Sequence, residues 1–184
     1  MSIMANVEVE VKAEIKNSEE LKNKVVLLGG SFKESKYQYD ILLDPPETDF
    51  SKTDQVLRIR NSNGNWKMDY KSPRLDNETK SRMEYSIKID DGKQLKDIFK
   101  WMGFKIVGEI EKNRDVYSFN DLKISFDNIT NLGNFIEVEC MTDEDKFEDS
   151  KRKIFSFLSS LGVNETIRKD YLELMWERGI IKKE

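Results

Sequence analysis

The sequence predicts an α+β fold, in which an antiparallel sheet closes on itself and is flanked by helices. Residues 7–16 alternate without a break between apolar and charged side chains, which is the period of a half-buried strand. Roughly eight or more strands are predicted along the chain, mostly joined by short turns. A sheet of that size removes its exposed edges by closing, and amphipathic segments elsewhere in the chain supply helices to cover it.

The predicted strands are short and are separated by turn and loop signals. Asn120-Asp121 suits a tight turn. Pro45-Pro46 forbids both a helix and a central strand, so the polar segment 44–54 is predicted to be a loop. After the first strand, the others are predicted at 37–43, 56–60, 66–71, 79–89, 104–111, 114–118, 122–127 and 135–140.

Four helices are predicted from apolar stripes and their end signals. The first is capped by Asn17 and Ser18 and ends at Gly29-Gly30. The second places Leu95, Ile98, Phe99 and Met102 on one face, with Gly103 after it. Two later helices are predicted from about 144 to 161 and from about 167 to 177.

Length and composition exclude several classes of protein. A chain of 184 residues predicts a single domain over 1–184. The sequence contains no histidine, which excludes a Ser-His-Asp triad, a Cys-His pair and a His-ligated zinc site. Gly92-Lys93 is followed by Gln94 instead of Ser or Thr, so a P-loop is excluded as well.

Charge, cysteine content and hydropathy indicate which partners and which cellular compartment to expect. The net charge of −4 argues against non-specific binding to nucleic acid. A single cysteine, Cys140, cannot form an internal disulfide, which favours a reducing, cytoplasmic setting. The longest apolar run, Val25–Leu28, is far too short to cross a bilayer, so no membrane association is expected.

Several predicted strands carry their charged residues on one face. For any single strand, a solvated outer face is the more common arrangement. The apolar face of each strand must pack on something, however, and the predicted helices can cover it, which turns the charged faces inward. The charged positions are seven cations, Lys12, Arg58, Arg60, Lys71, Arg82, Lys112 and Arg114, and six acids, Glu8, Glu10, Glu84, Asp127, Glu137 and Glu139.

An interior lined by both signs of charge suits a polyanion that arrives with divalent metal ions. The seven cations and six acids leave a net charge of +1, which cannot balance a triphosphate of about −4. Two Mg²⁺ ions would raise the charge of this lining to about +5. The residue set therefore predicts that metals are required.

An ordered series of short motifs runs along nearly the whole chain. It begins with Glu8-x-Glu10-x-Lys12. The series continues with Gln38-x-Asp40, Leu57-Arg58-Ile59-Arg60, Tyr70-Lys71, Arg82-x-Glu84, Lys112-x-Arg114, Asp127-Asn128-Ile129, Phe135-x-Glu137-x-Glu139 and Arg168-Lys169-x-Tyr171-x-Glu173-Leu174. In this order the motifs resemble those of the CYTH, or triphosphate tunnel metalloenzyme, family, whose signature is Glu-x-Glu-x-Lys. One departure is Arg82-x-Glu84-x-Ser86, where the family's strand often ends in an acid.

The resemblance implies an eight-stranded antiparallel tunnel that binds a triphosphate and Mg²⁺ or Mn²⁺, two ions per site. It implies catalytic roles for Glu8, Glu10, Lys12 and Arg60. The implied metal ligands are Glu8, Glu10, Asp127, Glu137 and Glu139, with Glu84 as an addition. The implied phosphate-binding residues are Lys12, Arg58, Arg60, Lys71, Arg82, Lys112 and Arg114.

Three functions are compatible with this residue set. The leading hypothesis is a metal-dependent triphosphatase acting on tripolyphosphate, a nucleoside triphosphate or another organic triphosphate. The second is a class IV-type adenylate cyclase, which needs the same metals and cations but uses the ribose 3′-hydroxyl as nucleophile. The third is a non-catalytic protein that binds ATP or polyphosphate, although five or six carboxylates bring little to a pure anion binder. The expected partner is the triphosphate itself, with a homodimer as a candidate assembly.

Overall fold

The computed structural model describes residues 7–73 and 83–182, within which lie eight strands and four α-helices. None of these helices has the length and apolar character that crossing a bilayer requires. The strands are β1 (Val7–Ile15), β2 (Ser31–Asp44), β3 (Val56–Ser62), β4 (Asn65–Lys71), β5 (Glu84–Ile89), β6 (Lys105–Phe119), β7 (Leu122–Ile129) and β8 (Gly133–Thr142). The helices are α1 (Ser18–Leu27), α2 (Gly92–Trp101), α3 (Phe147–Ser160) and α4 (Tyr171–Glu177), and a 3₁₀ turn at Glu144–Lys146 precedes α3.

The strands form one antiparallel sheet in the order β1-β8-β7-β6-β2-β3-β4-β5. This confirms the predicted α+β class and the eight-stranded antiparallel sheet. Closure of the sheet into a tunnel stays a prediction.

The chain divides into two compact units, each assembled from separate segments of sequence. Unit 1 contains residues 7–35 and 113–169, and unit 2 contains 36–73, 83–112 and 170–182. The two longest strands, β2 and β6, contribute to both units. The single domain over 1–184 stays a prediction.

Unit 1 buries the apolar faces of β1, β7 and β8 against α1 and α3. Ala13, Ile124 and Ile136 contribute from the three strands, and all three are fully buried. Val25 of α1 and Leu158 of α3 pack into the same cluster and are equally inaccessible. Strict alternation therefore sends the intervening charged residues to the opposite face of these strands.

Unit 2 uses the same construction on a smaller scale. Ile41 and Ile59 lie at the centre of an apolar cluster that includes Leu95 and Phe99 of α2. Gly92 begins α2 directly against the indole of Trp66, where a Cβ atom would lie 2.0 Å from the Trp66 ring carbon Cε3. Only glycine lets the helix start this close to the ring.

The predictions of two separate strands at 104–111 and 114–118 are corrected, because both lie in the continuous strand β6. The polar run Lys112-Asn113-Arg114 suggested a break between them. Strand pairing decides otherwise, since β6 lies beside the similarly long β2 and its backbone continues through the polar residues.

The prediction for the last helix is also corrected, because α4 begins at Tyr171 instead of near Ile167. The Ile167 backbone N–H donates to the Lys12 carbonyl at 2.7 Å in an isolated β-bridge. Asp170 then caps α4, and its side chain and that of Glu173 form a reciprocal capping box. This Asp-x-x-Glu spacing was present in the sequence as a start signal.

Candidate functional site

The charged face of unit 1, here called the acidic face, lies opposite the helices. Alternation places even-numbered residues of β1 and odd-numbered residues of β7 and β8 on it. Lys12, Asp127 and Glu137 are buried although they carry charge. The polar and charged residues of this face are Glu8, Glu10, Lys12, Glu14, Arg114, Lys123, Ser125, Asp127, Glu137 and Glu139.

Strand register arranges these residues in rows across β1, β8 and β7. Glu10 lies opposite Glu139, which in turn lies opposite Lys123. The Lys123 ammonium donates to Glu139 at 2.6 Å. In the adjacent row, Glu137 lies between Lys12 and Ser125. Residues that are far apart in sequence are therefore neighbours on one surface.

Three carboxylates of this face converge in a way that fits a metal ion. One oxygen each from Glu8, Glu10 and Glu139 lies within 4.8 Å of the other two. Burial raises the pKa of Glu10, and the charge of Glu137 raises it further against the opposing effect of Lys12. A divalent cation would relieve this crowding of negative charge, and carboxylate oxygens are its preferred ligands. The residues present therefore fit a hard divalent cation.

Arg114 holds two of the other predicted metal ligands. Its Nε donates to one oxygen of Asp127 at 2.6 Å, and its Nη2 donates to the other at 2.5 Å. The same Nη2 also donates to Glu137. The structure thus places Asp127 and Glu137 against a cation that was predicted to bind phosphate.

The charged face of unit 2, here called the basic face, lies opposite α2. Its arginines, Arg58 and Arg60, alternate with the buried apolar residues of β3. The face includes Gln38, Asp40, Arg58, Arg60, Lys67, Asp69, Lys71, Glu84, Ser86, Lys88 and the buried Lys112.

Asp40 holds Arg60 in a buried bidentate pair. The Arg60 Nε and Nη2 atoms donate to the two carboxylate oxygens, each at 2.6 Å. Burial by itself raises the pKa of Asp40, but the Arg60 hydrogen bonds and the charges of Arg58, Arg60 and Lys112 outweigh it and lower that pKa. Asp40 therefore carries its charge and fixes the direction of the Arg60 guanidinium.

Asp69 does the same for Arg58. It accepts from Arg58 Nη2 at 2.7 Å and, at its other oxygen, from the Ser86 hydroxyl at 2.7 Å. The Lys67 ammonium lies 3.0 Å from that second oxygen. Burial raises the pKa of Asp69, but the Arg58 charge and these hydrogen bonds bring it down to about 2.

The remaining predicted site residues have different positions. Glu84 is exposed and lies in unit 2, where it accepts a hydrogen bond from Lys71 at 2.7 Å. It is not one of the three glutamates, Glu8, Glu10 and Glu139, whose carboxylate oxygens converge. The Lys112 ammonium lies 5.1 Å from the centroid of the Tyr171 ring. Arg82 lies outside the described residues.

Asp69, Lys123 and Ser125 belong to these faces but lie outside the set of site residues predicted from the sequence. Asp69 stood within an alternating strand, but only strand pairing reveals that it faces Arg58. Lys123 stands next to apolar Leu122 and Ile124, which is the ordinary pattern of a solvated charge. Ser125 carried a weak signal, since it is a polar residue between two strongly apolar ones.

The fold and these faces define a class of α+β proteins in which an eight-stranded antiparallel sheet carries buried charge on the faces opposite its helices. The sequence profile of the CYTH domain matches residues 6–171. The chain therefore belongs to the CYTH domain family, which confirms the family predicted from the ordered motifs.

Proteins similar to this chain include ones from Methanocaldococcus jannaschii, Pyrococcus horikoshii and Hippeastrum. A Methanocaldococcus jannaschii protein named "putative adenylate cyclase" is 36% identical over 171 residues, covering 91% of this chain and 98% of that protein. A solved Pyrococcus horikoshii structure is 33% identical, with a TM-score of 0.80 over 93% of this chain and 99% of that one. A Hippeastrum structure, described as a "putative adenylyl cyclase" with a dominant triphosphatase activity, is 19% identical, with a TM-score of 0.66 over 95% and 96% of the two chains. At 19% identity, the similarity to the Hippeastrum structure shows a shared fold alone.

Proposed function

We propose that the protein is a metal-dependent triphosphatase, which hydrolyses the terminal anhydride bond of tripolyphosphate, a nucleoside triphosphate or another organic triphosphate. The observation that carries this proposal is the presence of two charged faces that each contain buried charged residues, one rich in carboxylates and one rich in arginine and lysine. Buried charge is costly unless it is paired or serves a ligand. A metal–triphosphate complex offers divalent cations, which suit carboxylates, and phosphate oxygens, which suit arginine and lysine.

The basic face would bind the phosphate oxygens. Arg58 and Arg60 are already oriented by Asp69 and Asp40, so little side-chain freedom is lost when an anion binds. The N–H groups that the aspartates leave unused can donate to phosphate. As the terminal phosphoryl group separates, charge spreads over its equatorial oxygens, and fixed cations stabilise that charge.

The acidic face would hold divalent Mg²⁺ or Mn²⁺ through Glu8, Glu10 and Glu139, with Glu137 and Asp127 nearby on the same face. When bound, such ions polarise phosphate oxygens and lower the pKa of water. Lys12, in the same row as Glu137, would add a positive charge toward the phosphate. In the reaction a water oxygen attacks the terminal phosphorus and the bond from that phosphorus to the bridging oxygen breaks. The diphosphate portion departs with the bridging oxygen and the electron pair of that bond, the water gives up a proton to solvent, and the attacked phosphoryl group becomes orthophosphate.

A second candidate is a class IV-type adenylate cyclase, and the name of the M. jannaschii relative favours it. In that reaction the ribose 3′-oxygen attacks the α-phosphorus and pyrophosphate leaves. Both candidates use the same charged faces. They differ only in which oxygen reaches which phosphorus.

One assay separates these candidates. The purified protein is incubated with Mg²⁺ or Mn²⁺ and with tripolyphosphate, ATP or thiamine triphosphate, and orthophosphate, pyrophosphate and cyclic AMP are measured. We expect orthophosphate without a cyclic product. Cyclic AMP together with pyrophosphate would replace the hydrolase with the cyclase, and tight binding without turnover of any substrate would leave a non-catalytic binder.

A further inference from the structure

Ser125 is the clearest unused polar group of the acidic face. Its side chain is on β7 and the residue is 1% exposed. Within the part of the chain that the structure describes, its hydroxyl oxygen has no hydrogen-bond partner. Leaving a buried hydroxyl unpaired costs free energy, and folded proteins rarely do so without a reason.

Strand alternation and register direct this hydroxyl toward the carboxylates. Ser125 shares its face of β7 with Lys123 and Asp127. Directly across the ladder it faces Glu137. Residues opposite each other on one face have Cβ atoms about 5 Å apart, so the hydroxyl lies at the edge of the acidic cluster.

A second serine shows what the same side chain does when it has a structural role. Ser86 is on the basic face and faces Asp69 across its own ladder. Its hydroxyl donates to that carboxylate at 2.7 Å. The Ser86 hydroxyl therefore has a hydrogen-bond partner within the protein. Ser125 likewise faces a carboxylate residue, Glu137, across its ladder, but its hydroxyl makes no such hydrogen bond among the described residues.

The charge of the acidic face indicates which kind of ligand would contact the Ser125 hydroxyl. Among the described residues of that face, six carboxylates accompany three cations, so an incoming anion would be repelled and a cation attracted. A hydroxyl oxygen is a neutral, hard ligand for Mg²⁺ or Mn²⁺, and it can equally accept a hydrogen bond from a water of the ion's shell.

We propose that the Ser125 hydroxyl is a further oxygen contact for the divalent cation of the acidic face, made directly or through one water. This inference rests on the metal dependence proposed above. It assigns Ser125 a part in binding the cation and none in holding the fold together.

Equilibrium binding of Mn²⁺ to the full chain, followed by calorimetry, tests the inference without relying on turnover. We expect Ser125→Ala to bind Mn²⁺ about 10-fold more weakly than wild type, the lower end of the loss seen when outer contacts of a metal site are removed. The metal-free Ser125→Ala protein should melt at the wild-type Tm or above, because the substitution removes an unpaired buried hydroxyl.

Ser86→Ala is the matched control and should behave in the opposite way. It removes a hydrogen bond to a buried carboxylate, so Tm should fall while Mn²⁺ affinity stays at the wild-type value. Equal Mn²⁺ affinity in Ser125→Ala and wild type would overturn the inference alone. A loss of both Tm and affinity in Ser125→Ala would also overturn it, since the role would then be structural. Absence of Mn²⁺ binding in wild type would instead refute the proposed metal dependence.

Ser125→Cys separates direct contact from contact through water. A thiolate ligand favours Cd²⁺ over Mn²⁺, so direct coordination predicts a rise of at least about 10-fold in the Cd²⁺-to-Mn²⁺ affinity ratio. An unchanged ratio, together with weaker Mn²⁺ binding in Ser125→Ala, supports contact through water. An unchanged ratio with unchanged Mn²⁺ binding in both variants overturns the inference.

Discussion

The acidic and basic faces are built by the same rule and carry opposite charge. Each lies opposite a helix-covered apolar face, yet among the described residues carboxylates outnumber cations on the acidic face, whereas cations outnumber carboxylates on the basic face. Alternation along a strand decides only that a charged face exists. The identity of the residues at those positions decides the sign.

The two faces also differ in how the protein itself stabilises the charge of their carboxylates. On the basic face Asp40 and Asp69 hold Arg60 and Arg58, and the pKa of each aspartate is lowered. On the acidic face the pKa of Glu10 is raised by burial and by neighbouring Glu137. The arginines of the basic face are thus oriented before a ligand binds. On the acidic face, a bound cation would instead reduce the repulsion between neighbouring carboxylates.

The largest expected effect is the loss of turnover when the acidic face loses a carboxylate. Glu10→Gln and Glu137→Gln should each lower kcat by about 1000-fold or more, because an amide is a poor substitute for a carboxylate toward a divalent cation. Initial rates of orthophosphate release measure this, and circular dichroism checks the fold. Glu148→Gln, on the exposed surface of α3, is the control and should retain wild-type rates. Wild-type rates in both acidic-face variants would break the metal assignment.

The next effect concerns stability on the basic face. Asp40→Asn leaves the buried Arg60 guanidinium without its counter-charge, which should lower the free energy of unfolding by about 3 kcal/mol at pH 7. Urea denaturation measures the change. The more exposed pair of Lys71 and Glu84 provides the comparison, and Glu84→Gln should cost less than about 1 kcal/mol. Equal costs at both sites would mean that burial does not distinguish the pairs.

Removing Arg60 should weaken substrate binding as well as stability, because it also leaves the buried Asp40 carboxylate without its bidentate partner. Arg60→Ala should raise KM for the triphosphate about 30-fold, because a charge-assisted contact to phosphate is lost. Its metal affinity should be unchanged, which separates it from Glu10→Gln. Arg152→Ala, on the exposed side of α3, serves as the control. A KM equal to that of wild type would remove Arg60 from the proposed phosphate-binding set.

The smallest expected effect is the pH dependence contributed by Asp69. Its pKa falls from 3.8 to about 2 on folding, so its contribution is present above pH 4 and is lost as the pH falls toward 2. Relative to Asp69→Asn, wild type should gain at most about 2 kcal/mol at pH 7, and the gap should narrow toward zero near pH 2. Denaturation curves across this range measure it. A gap that is independent of pH would show that Asp69 acts through packing instead of charge.

Much of the fold was predictable because its signals are local. Alternation in residues 7–16 identified β1, and the stripe from Leu95 to Met102 identified α2. The predictions that needed correction lay where pairing between distant segments decides the structure. β6 continues through Asn113 because it is part of the sheet, and residues near Ile167 pair with Lys12 instead of entering a helix.

The sequence by itself determined the family, the eight-stranded antiparallel class and the set of charged residues placed on alternate positions, because these follow from order and period along the chain. Only the tertiary structure decided which charges meet. Arg114 donates hydrogen bonds to Asp127 and Glu137, and Arg60 donates to Asp40. The Ser125 hydroxyl has no hydrogen-bond partner among the described residues. Register across a sheet joins residues that are far apart in sequence, and a single strand carries no information about the strand beside it.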